Sequence, residues 1–225
     1  SDFAMIVVDK PLGVHREIDM VTTPDGAPVA MVHCNNCTSD INAWVNLFGE
    51  FAVAIGAELD TNTLYTLLFR KALEGDADCG GLLSYNFLSG EGVTDLDAGR
   101  PVFARTPDAK LTIANFMRTH LFSALATLKI GLDILTSEEH VSIEKLYGHG
   151  GFFKTPEVGQ RMLSAAVGAP VSVMETAGEG GPYGMALLAA YRLDSHGKSL
   201  ADFLDTEVFV NAKSVTLQAN AADCK

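Results

Sequence analysis

Two glycine turns carry the clearest chemistry in this chain. One reads Gly148-His149-Gly150-Gly151-Phe152-Phe153-Lys154-Thr155, the other Glu175-Thr176-Ala177-Gly178-Glu179-Gly180-Gly181-Pro182. Each follows a short apolar run that reads as a strand and leads into a segment that reads as a helix. Glycine at such a junction leaves backbone N–H groups uncovered, and the helix adds the positive end of its dipole, which suits a phosphate or a nucleotide. The arrangement occurs twice, separated by one helix and one strand, and so points to a nucleotide cleft. Glu175 and Glu179 flank the second turn, where a carboxylate could accept from a ribose hydroxyl; helix capping explains them equally well.

Neither turn fits a standard phosphate fingerprint. A P-loop beginning at Gly148 needs a second glycine where Phe153 stands, and the dinucleotide pattern fails at the same residue. The spacing therefore disfavours a P-loop NTPase or a Rossmann dehydrogenase. Cys34-Asn35-Asn36-Cys37 sits between a strand and a helix, where a dithiol could gain a low thiolate pKa from the helix end. Two small residues in a turn is the plainer reading. No second cysteine pair follows at zinc spacing, and His33 and His120 are weak partners for one. His149 lies in the first turn and could touch a ligand. Asp40 opens a helix, where a carboxylate favours the dipole, but it is also a candidate cleft residue.

The elements that position these residues follow from patterning. Residues 4–8, 14–21 and 28–33 read as strands; Thr22-Thr23-Pro24-Asp25-Gly26 is a strong turn signal, and short turns imply an antiparallel meander. A helix opening at Thr38 or Ser39 places Ile41, Trp44, Val45, Phe48, Ala52 and Ile55 on one face. A second helix covers about residues 62–73, and residues 82–87 and 101–104 read as short extended pieces. Ile113, Met117, Leu121, Leu125, Leu128, Leu132 and Leu135 step by helical spacing along one long helix. The last section alternates strand, helix, strand, helix. Its first helix is punctuated by Thr155 as N-cap, Pro156 in the first helical position, Glu157 in the first turn and Gly168 at the end.

The chain has 225 residues, 48% hydrophobic and 20% charged, enough for a sizeable core in one domain. A net charge of −12 with no basic run argues against a nucleic-acid partner. No apolar run approaches membrane-spanning length, and Ser1-Asp2-Phe3 has no basic flank of a signal peptide. The 4 cysteines give no secreted framework, so the expected compartment is the cytoplasm. The start without methionine reads as part of a longer chain.

The motifs, in their order, resemble the C-terminal domain of the FGGY carbohydrate kinases. Ser1-Asp2-Phe3 and its strand look like the exit from that family's phosphate turn. Cys37-Thr38-Ser39-Asp40-Ile41-Asn42-Ala43-Trp44 is similar to its Trp-bearing helix, and Leu88-Ser89-Gly90-Glu91 with Ala98-Gly99-Arg100-Pro101-Val102-Phe103 to its Leu-Ser-Gly-Glu-Arg loop and following strand. Gly150-Gly151 and Gly181-Pro182-Tyr183-Gly184-Met185-Ala186-Leu187-Leu188-Ala189-Ala190 resemble its adenosine loop and closing helix. Two departures stand out: Gly92 replaces the usual Arg, and Arg118-Thr119-His120-Leu121-Phe122 replaces Arg-Ala-x-x-Glu-Gly.

The resemblance implies an α/β, actin-like (ribonuclease-H-like) ATPase domain over residues 1–225, with a five-stranded mixed sheet flanked by helices. It implies ATP and Mg2+, and a pentulose-like sugar or polyol as acceptor. Ser39 and Asp40 would approach the phosphate or ribose side. Gly150, Gly151 and Thr155 would approach the adenosine, and Gly178, Glu179, Gly180 and Gly181 would form the far wall of the adenine slot. The catalytic aspartate and most sugar contacts would belong to an N-terminal domain lying before Ser1, and the chain would stop before the family's last helix. A homodimer is compatible with this reading. The alternative is a non-catalytic actin-like nucleotide-binding module, and a more distant one a thiol oxidoreductase using Cys34 and Cys37.

Overall fold

The computed structural model describes residues 2–176, 178 and 180–224. It opens with three antiparallel strands: β1 (Asp2–Val7), β2 (Asp19–Thr22) and β3 (Pro28–Cys34). β3 is central, paired with β1 from Asp2↔Cys34 to Val7↔Val29 and with β2 from Asp19↔Met31 to Thr22↔Pro28. The Pro-Asp-Gly turn closes the β2–β3 hairpin, with Gly26 at φ +95° donating to the Thr23 carbonyl at 2.9 Å. The strand expected over residues 14–21 is cut to Asp19–Thr22 because the preceding loop is held elsewhere. There Gly13 N donates to Glu139 Oε1 at 2.7 Å, and His15 Nε2 lies 2.6 Å from the same oxygen.

Helices α1 (Ser39–Ala54) and α2 (Thr61–Ala72) follow, the second capped by the Asp60 carboxylate, which accepts from Thr63 N at 3.1 Å. β4 (Leu82–Tyr85) and β5 (Val102–Arg105) form a separate antiparallel pair. The long helix α3 (Ile113–Asp133), capped by Thr112, runs on into a single π turn over Ile134–Glu138. Of the stripe expected from spacing, Met117, Leu121, Leu125, Leu128, Leu132 and Leu135 are buried, whereas Ile113, the first residue of the helix, is exposed. No helix among the described residues is long and apolar enough to cross a membrane.

The C-terminal section contains β6 (Leu146–Gly148), α4 (Val158–Val167), β7 (Val171–Met174), α5 (Gly180–Leu193), α6 (Leu200–Phe203) and β8 (Ser214–Leu217). β6 pairs parallel with β7, and β8 adds antiparallel to β7's other side. The Gln160 amide staples the latter pair, donating to the carbonyls of Val171 at 3.0 Å and Val215 at 2.7 Å.

The expected five-stranded mixed sheet does not form: the strands fall into sheets of three, two and three. β6 is only three residues long and stops at the glycine turn; it pairs along one edge with β7, and among the described residues no strand pairs with its other edge. The units are joined by α3 instead, which packs on β1, β3 and β4 on one side and on α4 on the other. Gly131 makes that approach close, since a Cβ there would strike the Val32 side chain. One apolar cluster, including Val32, Ile41, Leu68, Met117, Leu121, Met162 and Val171, joins the elements from β1 to β7.

Candidate nucleotide site

β6 and β7 are parallel neighbours, so their C-terminal ends open on the same edge of their sheet, the usual place for a ligand in an α/β layer. The first turn leaves β6 at Gly148, whose backbone is covered by the Phe153 ring; a Cβ there would lie 2.5 Å from Phe153 Cε1. Gly150 has φ +96°, a conformation glycine adopts without strain, and a 3₁₀ turn over Gly151–Phe153 follows. Phe152 anchors the turn from below: it is buried, with its ring centroid 6.3 Å from that of Phe69.

The helix after this turn starts later than expected. α4 begins at Val158, with Glu157 in the capping position at φ +72° and making no side-chain cap bond. Thr155 is therefore not the N-cap; it is buried beneath the turn, and Pro156 precedes the helix. The 3₁₀ turn consumes the intervening residues, and Gly159 packs so closely on it that a Cβ would sit 2.5 Å from the Phe152 carbonyl oxygen. Gly168 ends the helix in the left-handed conformation, as its position suggested.

The second turn leads from Met174 to the first residue of α5, Gly180; Glu179 lies outside the described residues. The structure brings the two turns together. A Cβ on Gly180 would lie 2.7 Å from His149 Nδ1 and 2.8 Å from its Cγ, while one on Gly178 would lie 3.8 Å from Lys154 Cε. Around this seam the backbone is bare: Gly150, Gly151 and Gly181 would each present a Cβ to open space. The seam is an open face rather than a cavity. Shallow grooves along α2 (Asn62, Thr66, Arg70) and at the α1–α2 connection (Gly56, Leu59) are not lined by either turn.

Ser39 and Asp40 lie elsewhere in the fold. Ser39 is exposed in the first turn of α1. Asp40 is buried, its Oδ2 accepting from Trp44 Nε1 at 3.2 Å and lying 3.4 Å from His120 Nδ1. No hydrogen bond or ion pair joins either residue to the glycine turns among the described residues. His120 is buried among the rings of Trp44, Phe103 and Phe116, and burial pushes its pKa down to about 4 against the pull of Asp40. Ser84 Oγ lies 3.2 Å from the same Nδ1, whereas Nε2 has no partner. With Ser84 and Asp40 on one nitrogen, the trio cannot relay a proton through the ring as a hydrolase triad does.

The thiol reading fails. Burial, reinforced by the Asp2 carboxylate, pushes both Cys34 and Cys37 up to about 12, so neither is a thiolate near neutral pH. Among the described residues no group of three or more His, Cys, Asp and Glu side chains converges as a metal site would require.

The sequence reading gave no role to the clamp that fixes the loop after β4. The Glu91 carboxylate, 1% exposed, accepts at Oε2 from Asn35 N at 2.9 Å, Asn36 N at 3.1 Å and Asn36 Nδ2 at 3.1 Å. Asn36 Oδ1 in return accepts from Leu88 N and Ser89 N, at 2.9 and 3.0 Å. The only signal for this was the Leu-Ser-Gly-Glu motif itself.

The model of the FGGY family of carbohydrate kinases, C-terminal domain, matches residues 1–193. Similar solved structures include xylulose kinase from Lactobacillus acidophilus (TM-score 0.71, 16% identity, 99% of this chain and 42% of that one). Gluconate kinase from the same organism aligns with TM-score 0.70 and 16% identity over 99% of this chain and 42% of its own. Plasmodium falciparum glycerol kinase with ADP aligns at 0.67 and 15%, over 97% and 41%. No curated protein sequence matches. The chain thus spans about two fifths of the length of the solved kinases it resembles.

Proposed function

Since the chain belongs to the FGGY family of carbohydrate kinases, we propose that it is the ATP-binding lobe of a sugar kinase whose acceptor is a hydroxyl of a pentulose-like sugar or polyol. The observation that carries the nucleotide half is the abutment of the two glycine turns at His149 and Gly180. Residues present there fit such a ligand: bare backbone at Gly150, Gly151 and Gly181, and the N-terminal end of α5 beside it.

In this reading ATP supplies the γ-phosphoryl group. Gly150, Gly151 and Gly181 let the nucleoside reach the backbone, and Gly178 and Gly180 form the facing wall, with Glu179 accepting from the ribose. Thr155 supports the first turn from beneath. Ser39 offers a hydroxyl on the phosphate side from the exposed start of α1, while Asp40, engaged with Trp44 and His120, holds that helix in place. Mg2+ reaches this lobe on the phosphates, as part of the substrate. The general base, an aspartate, belongs to a second lobe; closure of the two lobes positions the hydroxyl and excludes water.

The lobe alone is then a binder without turnover. Isothermal titration calorimetry with ADP, alongside a coupled assay over xylulose, gluconate and glycerol, tests both parts. Binding without turnover is expected. Silence with ADP at millimolar concentration removes the nucleotide site, and turnover by the chain alone removes the assignment of the base to another lobe.

A further inference from the structure

We propose that the His149 imidazole is the floor on which the base of a bound purine nucleotide stacks, making it a determinant of nucleotide specificity. This rests on the nucleotide reading above and names the contact that reading lacks. Among the described residues, His149 is the aromatic side chain that meets the second turn in the seam, alongside the Lys154 stem at Gly178. Its Cβ, Cγ and Nδ1 edge is backed by Gly180, where a Cβ would come within 2.9 Å or less of all three atoms. The residue is otherwise exposed. A ring lying along Gly180 at one edge and exposed beyond it offers a flat surface to a ligand.

What surrounds the ring supports the same occupant. Gly150 and Gly151 on one side and Gly181 on the other have nothing within 4 Å of their Cβ positions, so among the described residues a planar ligand laid over these three glycines meets bare backbone beside the ring. Phe152 and Phe153, the adjacent aromatics, are turned away: Phe152 is buried and Phe153 covers Gly148. His149 is therefore the ring of the first turn that faces the seam. Base-on-ring stacking contributes roughly a tenfold change in affinity, is tolerant of which base stacks, and grows with the ring area overlapped. A purine, with its larger face, is favoured over a pyrimidine, and adenine over guanine only weakly.

The test is calorimetric titration of the 225-residue chain and its His149→Ala and His149→Phe variants with ADP, GDP, CDP and inorganic tripolyphosphate. For the unaltered chain, ADP and GDP should bind within a few-fold of each other and CDP roughly tenfold more weakly. His149→Ala should lose about tenfold for ADP and little for tripolyphosphate; His149→Phe, keeping a flat ring, should retain most of the ADP affinity. Equal loss of ADP and tripolyphosphate in His149→Ala would mean the ring only props the turn, and would overturn the proposal. So would ADP binding that His149→Ala leaves unchanged, which would spare the nucleotide site itself. Failure of the unaltered chain to bind any of the four compounds overturns that site and the proposal with it.

Discussion

The imidazole of His149 occupies the space a side chain at Gly180 would need, 2.7 Å from the Cβ position at Nδ1. These residues lie on different crossover units, one after β6 and one opening α5, so their contact places both glycine turns on one edge of the sheet. Adding a methyl group at Gly180 tests it. Gly180→Ala should displace the ring and weaken ADP affinity several-fold, read by calorimetry. Because the seam is at the surface, the thermal midpoint should move by no more than a few degrees.

Acid should destabilise the molecule through His120. Its folded pKa, about 4, lies below the unfolded value of 6.5, so protonation favours the unfolded chain. The stability is fully present above pH 6.5 and is lost as pH falls from 6.5 towards 4, by up to about 3 kcal/mol. Asp40 is the ionisable group facing the ring; the other neighbours are Ser84 and aromatic rings. Urea unfolding at pH 7.5, 5.5 and 4.5 should show this loss, and a His120→Gln variant should flatten it across that window.

The 3₁₀ turn over Ala221–Cys224 is tied to α3 by a partly buried ion pair. Arg118, 1% exposed, donates from an Nη2 to Asp223 Oδ1 at 2.6 Å, while its Nε has no partner. Asp223→Ala leaves that guanidinium buried without its counter-charge and should cost about 3–5 kcal/mol. Arg118→Met with Asp223→Ala should recover most of it, measured by denaturant midpoint.

Glu91→Ala removes the acceptor shared by Asn35 N, Asn36 N and Asn36 Nδ2. Leaving buried donors unpaired costs about 1–3 kcal/mol. Amide exchange should rise at Asn35, Asn36, Leu88 and Ser89 together, since Asn36 carries the clamp in both directions. Exchange rising at Asn35 and Asn36 alone would show that the loop is fixed by something other than this pair.

Cys34 and Cys37 should resist alkylation at pH 8 and form no disulfide under mild oxidation, because burial and Asp2 hold both thiols protonated. Mass spectrometry after brief treatment with iodoacetamide checks this.

The stripe on α3, the β2–β3 turn and the end of α4 at Gly168 were all legible because each rests on local chemistry: helical spacing, Pro-Asp-Gly, and glycine after an apolar run. The sheet was not. Which strands share a sheet is a long-range matter, and nothing in residues 146–148 announces how short β6 is. The start of α4 was misplaced because Thr155-Pro156-Glu157 has the composition of a cap, while burial of Phe152 decides where the helix can begin. β8 was missed because three of its four residues are exposed and alternation is absent. Of the candidate site, the glycines were readable and their adjacency was not; Asp40 was flagged for its helix position, and its turn towards His120 depends on a residue far away in sequence.

The central claim is that a nucleotide lies across both glycine turns. Titrating the isotope-labelled chain with ADP and following its amide resonances tests it most directly. Signals of Gly150, Gly151, Gly180 and Gly181 should shift together along one saturation curve, while those of the α2 groove, such as Thr66 and Arg70, stay still. Shifts confined to one turn, or centred on α2, would contradict the account.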